Sequence, residues 1–86
     1  MISRDRDPVS FSSFVDELAD AEGHLHDLIE KVMNEPDYDE SDFRVNLGHV
    51  FAHLNRAWHT RNSKDEDADA DREIVSAFPT DLTPVG

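Results

Sequence analysis

Apolar residues recur along this chain at alternating three- and four-residue steps in two stretches. The first runs from about Phe11 to Met33: Phe11, Phe14, Leu18, Ala21, Leu25, Leu28 and Val32 carry the series, and Val15, Ile29 and Met33 widen it. The second runs from about Phe43 to Arg61, with Phe43, Leu47, Val50, Phe51, Leu54, Ala57 and Trp58 on one side, and Val45 and Ala52 opposite. That spacing is the period of an amphipathic α-helix. Asn34-Glu35-Pro36-Asp37-Tyr38 interrupts the pattern between them. The pattern predicts an all-α protein, an antiparallel helical hairpin with helices about 9–34 and 39–62. Residues 63–86 read as an acidic linker followed by a C-terminal tail or short third helix, docked or partly disordered.

The boundaries have local chemistry behind them. Asp7 can cap the first helix with Pro8 in its first turn, or Ser10 can cap it with Val9 packing on Phe14; the expected start lies between residues 8 and 11. Residues 1–7 carry mixed charge and are expected to fray. Pro36 ends the helix, since it disfavours the α conformation at Glu35 and lacks a donor. Asp39 or Ser41 starts the second helix; an Asp39 cap puts Tyr38 and Phe43 at the staple positions and Glu40 and Asp42 at the positive end of the helix dipole. Gly23, inside the first helix, marks either close approach of another helix or a tolerated cost of about 1 kcal/mol relative to Ala. Pro79 stops any helix over Ile74–Phe78, and Phe78 and Leu82 are placed to dock on the hairpin.

Two helices cannot cover their own apolar sides. The expected remedy is a homodimer, two hairpins related by a two-fold axis in a four-helix bundle. The competing remedy is a monomer in which residues 70–82 fold back. Phe14, Trp58 and Phe78 are the expected anchors of an interface, because aromatic side chains dominate interface energetics.

Composition narrows the partners. The chain has 86 residues, enough for one small domain, and a formal charge of −12 from 20 acidic and 8 basic residues. Such a surface disfavours binding to a nucleic-acid backbone and to anionic membranes. It suits either solubility or an acidic mimic that draws a basic protein. With no cysteine, disulfides and thiolate metal sites are excluded. No apolar run approaches the roughly 20 residues that span a bilayer, and the first residues lack the apolar core of a signal peptide, so the expected location is cytoplasmic.

The candidate chemistry rests on histidines. There are five. His49 and His53 stand four apart, which puts both imidazoles on one helix face, as a divalent metal requires. Glu22 and His26 are spaced likewise on the first helix, and antiparallel pairing brings Glu22 to the level of Phe51. A Glu22, His26, His53 cluster is therefore conceivable, with surface imidazoles in ordinary hydrogen bonds as the alternative. Glu22 lies close to the apolar stripe and needs a partner if buried, with Asn46, His53 and the Trp58 indole as candidates. Asp65, Asp67, Asp69 and Asp71 alternate like calcium-loop ligands, but Ala70 and Ser76 stand where the loop needs Gly and Glu. No serine elbow or phosphate-cradling glycine loop is present. Histidines beside carboxylates would make the fold more stable below about pH 6.5 than above it.

Asp16-Glu17-Leu18-Ala19-Asp20 resembles a variant of the Glu-Glu-x-x-Glu motif of MazG-type nucleotide pyrophosphatases. Asn46-Leu47-Gly48-His49 then falls where that family carries Glu-x-x-Asp. The resemblance covers residues 14–58. It implies an all-α, Mg²⁺-dependent enzyme that hydrolyses nucleoside triphosphates, with Glu17 and Asp20 as metal ligands and His49 as a substitute ligand. Asn46 and His49 replace both carboxylates of the second motif, which weakens a site built on oxygen ligands. The expectation is accordingly a small acidic, non-catalytic interaction or regulatory module, without a dedicated cofactor beyond a divalent metal. A metal-dependent pyrophosphohydrolase, or a degenerate relative of one, is the alternative.

Overall fold

A computed structural model describes residues 1–67 and 79–86. Two helices, α1 (Pro8–Asn34) and α2 (Glu40–Thr60), pack side by side as a hairpin, and a short 3-10 turn follows at Asp65–Asp67. There is no strand among the described residues. The two-helix reading of the sequence therefore holds, each boundary falling within about two residues of its expected place.

Local chemistry sets the ends. Pro8 occupies the first position of α1. Glu35, which precedes Pro36, leaves the helix in an extended conformation (φ −100°, ψ 110°). At α2, the Asp39 carboxylate accepts from the Asp42 backbone N–H at 3.0 Å, and the Asp42 carboxylate accepts from the Asp39 N–H at 3.2 Å. That reciprocal pair is a capping box with Asp in place of the usual Glu.

The cap of α1 comes from elsewhere. The Asp7 side chain makes no capping bond. Instead Asp65 reaches back, its carboxylate accepting from the Ser10 N–H at 2.7 Å and the Val9 N–H at 3.3 Å. Asp7 in turn accepts from the Asp65 N–H at 3.1 Å. The first residues do not fray, because the Ile2 N–H donates to the Arg61 carbonyl at 2.8 Å and the Ile2 side chain is buried. Both ends of the hairpin thus tie to the same region, beyond the end of α2.

The core is narrow. Ala21 and Leu28 of α1 meet the side of α2 that buries Val50, His53 and Ala57. At about 100° per residue, the broad apolar stripe then splits. Ala21 and Leu28 turn inward, while Leu18, Leu25, Ile29 and Val32 lie on one flank and stay exposed. Phe43, Phe51 and Leu54 of α2 occupy the matching flank and are also exposed. Near the end of α2, Pro79, Leu82 and Pro84 of the tail border a groove of about 390 Å³ with Phe51 and Leu54. Phe78 and residues 68–77, including the apolar cluster at Ile74–Ala77, lie outside the described residues.

Among the described residues, a Cβ placed on Gly23 would meet nothing within 4 Å, so close packing of α2 does not account for this glycine. No described helix is long and apolar enough to cross a membrane.

Candidate functional site

The flank opposite the apolar one is polar, and side chains from both helices meet on it. Glu17, Asp20 and His24 project from α1 with three- and four-residue steps. His49, His53 and Arg56 do the same from α2. Antiparallel pairing brings the two rows to one level: Glu17 reaches His53, and His24 reaches His49.

Glu17 is the hub. One carboxylate oxygen lies 2.7 Å from His53 Nδ1, and the other accepts from Arg56 Nε at 3.0 Å. Burial alone would raise the Glu17 pKa. The hydrogen bonds to His53 and Arg56 and the Arg56 charge outweigh it and hold the carboxyl below its ordinary value. An ionised Glu17 needs a donor at Nδ1, so the His53 proton sits there. The approach of Arg56 Nη2 to Nδ1 at 3.0 Å is then a close contact rather than a second hydrogen bond. His53 is 9% exposed, and its Nε2 is buried with no hydrogen-bond partner.

Three imidazoles stack beside this pair. The ring centroids of His24 and His49 are 3.9 Å apart, those of His24 and His53 4.9 Å, and those of His49 and His53 5.2 Å, with interplanar angles of 15–30°. Each ring offers a nitrogen, and the three nitrogens lie within 4.8 Å of one another. Glu17, Asp20 and His53 form a second such group within the same distance. Nearby positive charge on His24 holds the His49 pKa below its ordinary value, followed by desolvation and by His53 and Arg56. A base so depressed loses stability as pH falls through its ordinary value of 6.5. At His49 this runs against the expected acid stabilisation, because its neighbours are imidazoles and Arg56 rather than carboxylates, whereas His53 does sit beside the Glu17 carboxylate.

The residues singled out from sequence divide accordingly. His49, His53, Glu17 and Asp20 come together, whereas Glu22 and His26 are exposed and belong to neither group. Glu22 lies outside the core and is not partnered by Asn46, whose side-chain N–H donates to the Tyr38 hydroxyl at 2.8 Å. The Trp58 indole N–H donates to Asp81 at 2.9 Å, and the Arg61 guanidinium lies 3.6 Å from the Trp58 ring centroid. The indole hydrogen bond holds the Asp81 carboxyl below its ordinary range, with Arg61 and His59 adding to it against desolvation. Phe14 is half-buried, as is Trp58. His24 is the residue that spacing alone did not select. Its signal is the pair Asp20 and His24, four apart, which mirrors His49 and His53 once the hairpin register is known.

No protein-family model, curated protein or solved structure matches this chain.

Proposed function

We propose that the chain is a small acidic, non-catalytic interaction module that works as a homodimer, two hairpins packed through their apolar flanks into a four-helix bundle. One observation carries this reading. Leu18, Leu25, Ile29 and Val32 of α1 and Phe43, Phe51 and Leu54 of α2 are each 41–53% exposed, and they share a side of the hairpin. A monomer rarely leaves an apolar strip of that length open to water. A second copy is the occupant that fits. The strip runs along both helices, so a two-fold axis sets each α1 against the partner's strip without a different surface being needed. Among the described tail residues, Pro79, Leu82 and Pro84 line a groove with Phe51 and Leu54, at one end of the strip.

Light scattering over a dilution series tests the proposal. The expected mass is twice 9.8 kDa. The Ile29→Glu substitution places a charge in the middle of the strip and is expected to give a monomer that remains helical by circular dichroism. A wild-type chain that stays at a single-chain mass at the highest concentration overturns the reading.

A degenerate pyrophosphohydrolase-like protein is the second reading, supported by the approach of Glu17 and Asp20 to His53. Against it, Glu17 is already committed to His53 and Arg56, and Asn46 to Tyr38. Asp20 is then the one carboxylate of that group not engaged by a basic side chain, and Mg²⁺ calls for several oxygen ligands. Mg²⁺-dependent release of pyrophosphate from nucleoside triphosphates, abolished by Asp20→Asn, would favour this second reading.

A further inference from the structure

The polar flank faces away from the proposed dimer surface and stays open in the dimer. We propose that His24, His49 and His53 form a binding site for a divalent cation of the zinc class, with Glu17 as the positioning residue that holds the His53 ring.

Three observations carry this. The first is convergence: two helices deliver three ring nitrogens within 4.8 Å of one another, close enough to share one metal once the rings turn. The second is the state of His53. Its Nδ1 proton is engaged by Glu17 at 2.7 Å, so the lone pair is on Nε2, which is buried and unpartnered. A buried acceptor without a donor is costly, and a cation removes that cost. A carboxylate on the far nitrogen of a ligating histidine also fixes its tautomer and raises its basicity. The third is the donor set. Imidazole nitrogens favour zinc, copper, nickel or cobalt over magnesium or calcium, which take oxygen.

Binding requires the stacked rings to turn. A metal lies in the plane of each ring it binds, and these rings stand nearly face to face. His49 is exposed and His24 is half-buried. His53 stays where Glu17 holds it and acts as the fixed ligand about which the other two close. Around them, Glu17 offsets Arg56, and Asp20 adds a negative charge near His53. Three protein ligands leave a fourth position to water.

The test is isothermal titration of the full chain with zinc chloride at about pH 7.5, where imidazoles are mostly neutral, together with the visible spectrum of the Co²⁺ complex. The expected result is one ion per chain and a tetrahedral Co²⁺ band. His49→Ala, chosen because an exposed ring can be removed without disturbing the core, is expected to abolish both. Glu17→Gln is expected to weaken binding roughly 10- to 100-fold, while His26→Ala leaves it unchanged. Absence of saturable binding overturns the site. So does His49→Ala binding as tightly as the wild type, or His26→Ala losing as much as His49→Ala. Undiminished affinity in Glu17→Gln overturns the positioning role.

Discussion

Asp65 acts at a distance that no local pattern reveals. It caps α1 across the whole hairpin, and its carboxyl is held below its ordinary value of 3.8 chiefly by the Ser10 backbone N–H, with the Ser10 side chain and the Val9 N–H adding to it against desolvation. A carboxylate whose pKa is depressed in the fold stabilises it above the ordinary value. That contribution is lost as pH falls through the lower folded value. Asp65→Asn should therefore lower the melting temperature at neutral pH and flatten its decline below about pH 4, read by circular dichroism melts across pH. Gly23 is the opposite kind of residue, a cost with no structural return among the described residues, since a Cβ there meets none of them within 4 Å. Gly23→Ala should stabilise the fold by about 1 kcal/mol, a rise of roughly 4–8 °C in a domain this small. No gain would mean that the glycine serves contacts outside this chain.

At the scale of the elements, α1 and α2 are held by a thin line of side chains. Leu28 is buried between them, while Val45 on the outer side of α2 is 71% exposed. Leu28→Ala should cost about 2–5 kcal/mol in urea denaturation, and Val45→Ala should change stability by no more than about 0.5 kcal/mol. Equal effects would mean that the interhelical seam lies elsewhere. The helices themselves were legible because their signals are local. Asp39 lies three residues from its partner Asp42, and Pro36 acts on the residue before it. The split of the α1 stripe into a buried line and an open flank was not legible. Leu25 and Leu28 read alike in a periodic series, and only the position of α2 separates them.

For the whole molecule, charge opposes the assembly that the apolar flank favours. Each chain carries −12, so two copies repel one another. The Debye length falls from about 10 Å at 0.1 M salt to about 3 Å at 1 M. The proposed dimer should accordingly tighten over that range in sedimentation measurements, and weakening with salt would point to ion pairs rather than apolar packing between the subunits. The polar flank was half legible in the same sense. His49 and His53 declare themselves by spacing on one helix, as do Glu17 and Asp20. Their union with His24 depends on which residues of α1 stand opposite them, a relation between elements.

Helical periodicity, proline and local caps are interactions over a few residues, and the amino-acid order alone determined them: two helices, their limits and the turn between. Asp65 on the start of α1, Ile2 under the end of α2, the exposure of Glu22 and the meeting of Glu17 with His53 were decided by tertiary structure. Each depends on the rotation and level at which one helix lies against the other. Packing sets those two quantities, and any single helix is compatible with many values of them.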